Sequence, residues 1–219
     1  MWIKICGISD PDAIGTLAAL RPDALGFNFY HGSKRRIAPS AAALAVRQLP
    51  AGIEPVGVFV NHSLEQIRDI CGTTGIRTVQ LHGDETPEFA AALTSFDVIR
   101  VSRIGSEGLS LVAADVERCR QLGVRLKACL VEPRVAGHYG GSGAVAPWNE
   151  IADGWNRTDW PPLLLAGGLT PDNVAAAVAC VRPWGVDVAS GVESSPGVKD
   201  PALVARFIQS ARNPSGGTP

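Results

Sequence analysis

A chain of 219 residues carries 20 Lys and Arg against 21 Asp and Glu, a formal net charge of −1, with 46% hydrophobic residues. The length suits one domain with a full core, and the charge balance argues against a nucleic-acid or anionic-membrane partner. No apolar run reaches the roughly 18 residues of a membrane span, and the N-terminus lacks the order of a signal peptide, so the expected location is cytoplasmic. The cysteines at 6, 71, 119, 129 and 180 include no Cys-x-x-Cys pair. That pattern gives no support to zinc or dithiol chemistry. The last four sit in apolar or helical contexts and read as small buried hydrophobes.

Apolar runs alternate with helical stretches along the whole chain. The first run, 3–6, stops at Gly7 and leaves Cys6 at its end. Asp10-Pro11 then places a capping side chain before a proline, predicting a helix over 10–20. Strands at 24–29 and 55–60 bracket a helix at 39–49, and Ser63 with Gln66 spells a capping box opening a helix at 63–72. Strands at 78–81, 98–101 and 128–131 follow, with helices at 86–94, 107–122 and 148–153. Strands at 163–166 and 186–189 complete the series, with helices at 171–182, opened by Thr170-Pro171, and at 200–211.

Strands apolar on both faces, each followed by a helix, imply a parallel sheet covered by helices. Eight such pairs predict an α/β protein, a single (β/α)8 TIM barrel over 1–212, with a frayed Pro/Gly/Ser-rich tail over 213–219. The rival, an open doubly wound dinucleotide-binding sheet, would carry Gly-x-Gly-x-x-Gly after its first strand, and that motif is missing there. Residues 152–162 read as a loop extension before the seventh strand. Trp148, Trp155, Trp160 and Trp184 read as packing residues.

In a barrel, the residues after each strand meet at one face. Here they are Cys6, then Ser33-Lys34-Arg35-Arg36, Asn61, and Gln80 with His82-Gly83-Asp84. Arg103, Glu132, Gly167-Gly168, and Asp187 with Ser190-Gly191 follow. Glycines let backbone amides approach an anion, and barrels often hold phosphate at the seventh and eighth loops. Gly167, Gly168, Ser190 and Gly191 are therefore the candidate phosphate site.

The motifs Lys4-Ile5-Cys6-Gly7-Ile8, Gly26-Phe27-Asn28-Phe29-Tyr30, Ser33-Lys34-Arg35 and Gly57-Val58-Phe59-Val60-Asn61 occur in order. Val79-Gln80-Leu81-His82-Gly83, Tyr139-Gly140-Gly141-Ser142-Gly143, Ala166-Gly167-Gly168-Leu169 and Val186-Asp187-Val188-Ala189-Ser190-Gly191-Val192-Glu193 continue the series. Together they resemble the phosphoribosylanthranilate isomerases of tryptophan biosynthesis across nearly the whole chain. The resemblance implies an Amadori rearrangement of a phosphorylated aminofuranose carrying anthranilate. Cys6 would be the general base, a carboxylic acid after the sixth strand would protonate the ring oxygen, and Arg35 would pair with the anthranilate carboxylate. It implies a small-molecule substrate, no metal or redox cofactor, and a monomer or homodimer.

The chemistry sets requirements on these residues. Ring opening needs an acid protonated near neutral pH, so its pKa should be raised. The thiol must ionise, which nearby cations assist. Lys4 shares a face with Cys6 if the first strand is regular. Gln80, His82 and Asp187 are expected to contact substrate, His82 as a hydrogen-bonding wall residue and Asp187 toward loop 8 or the sugar hydroxyls.

Three positions depart from the family pattern. The acid is typically aspartate, whereas the carboxylate at that tip is Glu132, one methylene longer. Arg36 stands where an aromatic residue is common and would add a cation near the carboxylate pocket. Asn28 puts a polar side chain into the second strand. Two rival readings stay open: a barrel acting on another phosphoribosyl substrate, and a phosphate-ligand binder that has lost its acid.

Overall fold

The alternation of apolar strand and helix folds as expected. In a computed structural model describing residues 1–135 and 145–214, eight parallel strands close into one barrel in chain order. They are β1 (Trp2–Cys6), β2 (Ala24–Asn28), β3 (Glu54–Phe59), β4 (Thr78–Leu81), β5 (Asp97–Ile104), β6 (Leu126–Pro133), β7 (Leu163–Leu165) and β8 (Gly185–Val188). Around them lie α1 (Ile14–Ala19), α2 (Pro39–Arg47), α3 (Leu64–Thr74), α4 (Pro87–Ala91), α5 (Ser110–Gln121), α6 (Trp148–Gly154), α7 (Val174–Val181) and α8 (Pro201–Arg212). None of these helices is long and apolar enough to cross a membrane. The Tyr139–Gly143 motif and the end of the expected tail, 215–219, lie outside the described residues.

Strand residues alternate between two hydrophobic clusters. The larger joins outward-facing Ile3, Ile5, Leu25, Phe27, Val79, Val131 and Val186 to buried helix residues such as Leu17, Ile67, Val178 and Phe207. The smaller fills the barrel with Ala24, Val56, Ile99, Ala128, Leu130, Leu164 and Ala166. Inward positions recur every second residue. On several strands the inward row ends in a polar residue at the open face, such as Cys6, Asn28, Glu132 and Asp187. Trp2 and Trp184 stack 4.9 Å apart beyond the other end.

Local signals explain most boundaries. Ser63 Oγ accepts from Gln66 N at 3.2 Å while Gln66 Oε1 accepts from Ser63 N at 2.8 Å, completing the expected capping box. Asp10 caps a 3₁₀ turn at Pro11–Ala13 that runs into α1. Four expectations need correcting. β5 and β6 run past their expected ends because they pair through Arg103↔Glu132 and Ile104↔Pro133. α7 starts at Val174 rather than at 171, because the Asn173 side chain turns back to Thr170 N (2.8 Å) and Gly168 O (2.9 Å). Residues 152–154 close α6 instead of opening a loop, and Trp155 and Trp160 then pack edge to face at 4.9 Å. Finally, an unexpected hairpin follows β8, with β9 (Glu193–Ser195) antiparallel to β10 (Val198–Lys199). Its turn is Pro196-Gly197, the glycine at φ 89°.

Ser63→Ala removes one half of the capping box at a residue outside the candidate site. Unfolding by urea should show about 1 kcal/mol lost, with catalytic activity unchanged.

Candidate active site

The strand tips enclose a cavity of about 690 Å³. Cys6, Arg35, His82, Glu132, Asp187, Gly167, Gly168, Ser190 and Gly191 all line it. Of the expected site residues, only Gln80 stays out. It is fully buried, and its amide nitrogen lies 2.8 Å from His82 Nδ1, so it contacts a site residue rather than the cavity. Arg36 is also corrected, because it bridges to Asn28 and lines a second cavity of about 230 Å³ with His31 and His62.

β1 is regular, so Lys4 and Cys6 share the inward face. A Cβ at Gly26, the register partner of Cys6, would fall 2.9 Å from Cys6 Sγ and 3.0 Å from Lys4 Cε. Glycine at 26 is therefore what leaves room for the thiol and the ammonium together. Lys4 has no solvent exposure and donates to Asp187 Oδ1 at 2.9 Å. Burial pulls the Lys4 pKa down, but Asp187 and Cys6 outweigh it, and the net shift is upward. Asp187 thus faces an ammonium as well as the cavity.

The expectation of a thiol acidified by cations is only half met. Burial raises the Cys6 pKa, Lys4 and Lys199 pull it down, Asp187 adds to the rise, and the net shift is upward.

Arg35 lies across the β1 tip. Gly7 has φ 84°, and a Cβ there would fall 2.5 Å from Arg35 Cδ, so the guanidinium stem occupies the space of the missing side chain. Arg35 Nε and Nη2 donate to Glu193 Oε1 and Oε2 at 2.7 and 2.8 Å, a two-pronged fork. Lys199 donates to Glu193 Oε1 at 2.7 Å and to Ala189 O at 2.9 Å. Burial raises the Glu193 pKa, but Arg35 and Lys199 outweigh it and hold the group anionic. The β9–β10 hairpin therefore ties the arginine of loop 2 to the glycine loop after β8. Asn28 steadies the same loop, donating to Ser33 Oγ at 3.2 Å and accepting from Tyr30 N at 2.9 Å.

Opposite Cys6, His82 Nε2 lies 3.0 Å from Glu132 Oε1. Arg103 Nε approaches the same oxygen at 3.4 Å, and its Nη2 donates to His82 O. Burial raises the Glu132 pKa, but His82 and Arg103 outweigh it, and the net shift is downward. This corrects the expectation of an acid with a raised pKa. A carboxylate placed between an imidazole and a guanidinium favours its charged form.

Loops 7 and 8 meet through backbone. Gly167 and Gly168 have φ 87° and 62°. A Cβ on Gly191 would fall 1.9 Å from Leu169 O, so only glycine permits the contact that closes this cradle.

Glu193 and Lys199 were absent from the expected site, while Lys4, named beside Cys6, and Arg103, named at its strand tip, were given no substrate contact there. Period-2 alternation signals Lys4, and the Pro196-Gly197 turn signals the hairpin carrying Glu193 and Lys199.

Comparison with known proteins places this geometry. A family described as N-(5'-phosphoribosyl)anthranilate (PRA) isomerase matches residues 3–210. An N-(5'-phosphoribosyl)anthranilate isomerase of Thermotoga neapolitana is 43% identical over 211 residues, covering 96% of this chain and 98% of its own. One of Trichlorobacter lovleyi is 39% identical over 210 residues, covering 96% and 97%. The crystal structure of phosphoribosyl anthranilate isomerase from Thermotoga maritima superposes with a TM-score of 0.82 at 35% identity, covering 96% of this chain and 98% of that one. A structure of such an isomerase in complex with reduced 1-(o-carboxyphenylamino)-1-deoxyribulose 5-phosphate superposes at 0.79 with 34% identity, covering 96% and 98%. With a matched segment spanning the barrel from β1 into α8, this chain belongs to the N-(5'-phosphoribosyl)anthranilate isomerase family.

Proposed function

We propose that Cys6 and Glu132 divide the Amadori rearrangement that converts N-(5-phosphoribosyl)anthranilate to 1-(2-carboxyphenylamino)-1-deoxyribulose 5-phosphate, a step of tryptophan biosynthesis. One observation carries the assignment: a thiol, a carboxylate and the glycine cradle of loops 7 and 8 line one cavity. The cradle binds the phosphate through Gly167, Gly168, Ser190 and Gly191. This anchors the sugar, so the reacting carbons are presented without a diffusional search.

Glu132 gives a proton to the ring oxygen, and the ring opens as the anthranilate nitrogen shares its lone pair with C1. Cys6, as thiolate, then removes the proton on C2, and Lys4 stabilises the negative sulfur. The thiol resists ionisation through burial. Its basicity once ionised is correspondingly high, which suits removal of a carbon-bound proton. Arg35 takes the anthranilate carboxylate. Its fork with Glu193 uses Nε and Nη2, and Nη1 makes no hydrogen bond among the described residues, so a second pairing edge remains. All five cysteines are free, in keeping with a reducing cytoplasm.

Three experiments test these roles. In a tryptophan auxotroph lacking this step, the parent gene should restore growth, while genes encoding Cys6→Ala or Glu132→Gln should not. Growth on either variant removes that residue's role. Glu193→Gln frees Arg35 from its fork, and KM should rise roughly tenfold, the size of one lost charge-assisted hydrogen bond, with a smaller change in kcat.

The third experiment follows Cys6 alkylation by iodoacetamide against pH, since only the thiolate reacts. Lys4→Met leaves the Asp187 anion beside the sulfur, so the midpoint should move to higher pH. The double variant Lys4→Met/Asp187→Asn removes both charges and should fall between this and the parent. Equal midpoints in all three proteins would show that the Lys4 charge does not act on Cys6.

A further inference from the structure

Glu132 sits where a proton donor is needed, yet its neighbours hold it in the anionic form. Arg103 Nε lies 3.4 Å from Oε1, and a guanidinium keeps its protons throughout the working pH range. It therefore secures the anion without supplying a proton. His82 is different. Its Nε2 lies 3.0 Å from the same oxygen, and imidazole is the side chain that exchanges a proton near neutrality.

We propose that the proton used to open the ring is stored on His82 and reaches the substrate through Glu132, so that the general acid is the pair. The proposal rests on the assignment of Glu132 above and deepens it.

The surroundings of His82 give each ring nitrogen a hydrogen-bond partner. Its other ring nitrogen faces the amide of Gln80 at 2.8 Å, inside the barrel wall and away from water. An amide offers a donor on one side and an acceptor on the other. With its nitrogen toward Nδ1, Gln80 serves the neutral ring, whose Nε2–H then points at Glu132. With its oxygen there, it would serve the imidazolium. The unused oxygen, Oε1, is buried and has no hydrogen-bond partner among the described residues, so no competing contact locks the amide in one setting.

His82 lines the cavity, but both its ring nitrogens are engaged, so its proton path to the substrate runs through Glu132. Glu132 comes from β6 and His82 from the end of β4, with Arg103 of β5 between them. The glutamate side chain brings its carboxylate to the imidazole. Among the described residues, the other charged groups at this face include Glu85, which accepts from Gly83 N at 2.9 Å, Asp84, 3.9 Å from Arg103, and Arg134, paired with Glu107; across the cavity are Lys4, Cys6, Asp187 and the Arg35–Glu193–Lys199 cluster. β7 contributes Ala166, Gly167 and Gly168 and no charge.

The step balances. Starting from imidazolium and carboxylate, His82 Nε2 passes its proton to Glu132, which delivers it to the ring oxygen, so the pair gives up one proton in all. The electron pair of the C1–O bond stays on oxygen as a hydroxyl, and the nitrogen lone pair closes C1=N. Cys6 takes the C2 proton, leaving the enolamine, which ketonises as C1 takes a proton from the Cys6 thiol and the C2 hydroxyl returns one to the Glu132–His82 pair. Two protons are taken up, at the ring oxygen and C1, and two released, from C2 and its hydroxyl. The pair regains its proton.

The pH dependence of kcat in His82→Asn decides the matter, with thermal unfolding as the check on folding. Asparagine keeps a hydrogen-bond donor toward Glu132 but stores no proton. If the pair is the acid, the alkaline limb of kcat moves to lower pH, and kcat at neutral pH falls ~10²-fold or more. If Glu132 acts alone, losing His82 removes a contact that keeps it ionised. The alkaline limb then moves up and neutral activity is kept or rises, which overturns the proposal. A fall in kcat with an unmoved limb also overturns it, since that reports only structure. If His82→Asn does not fold, His82→Gln is read the same way. Glu132→Gln is measured in parallel. Full activity there would refute the acid role of Glu132 itself, whatever His82 does.

Discussion

An ammonium without solvent exposure sits at the seam where this barrel closes. Lys4 of β1 and Asp187 of β8 are register partners as well as an ion pair, so the hydrogen bonds that join the last strand to the first also bring these two charges together. Removing one charge alone would leave the other buried and unpaired, at a cost of roughly 3–5 kcal/mol. The same pair flanks the thiol, one residue pulling its pKa down and the other pushing it up. Closure of the sheet and tuning of the Cys6 thiol are therefore one arrangement.

Around that seam the site divides into three linked parts. The β9–β10 hairpin fastens Arg35 to Glu193, and Lys199 extends the connection to the loop after β8. The ends of the cavity proposed to bind carboxylate and phosphate are thus mechanically joined. On the far side, Gln80, His82, Glu132 and Arg103 form a second polar cluster reaching from the barrel interior to the cavity. Between them lies the glycine contact of Gly191 with Leu169 O, where backbone alone closes the cradle.

Much of this was legible in the chain because strands buried on both faces leave uninterrupted apolar runs, and the residues that follow them must emerge at one face. Cys6, Arg35, His82, Glu132 and the loop glycines were found by that rule, and all reach the cavity. The same rule misplaced Gln80, because it lies one inward step below the tip, where the barrel is still closed. Arg36 was misplaced because its backbone bridge to Asn28 accompanies a turn toward the neighbouring cavity.

What the sequence determined by itself was the order of elements, the barrel, and the residue types at each strand tip, since these follow from local period and position. Only the tertiary structure decided who pairs with whom. Lys4 and Asp187 are 183 residues apart, Arg35 and Glu193 158, and His82 and Glu132 50. No local pattern encodes such partners. Charge states at this site depend on them, because a buried carboxylate or thiol takes its pKa from the neighbours that replace water.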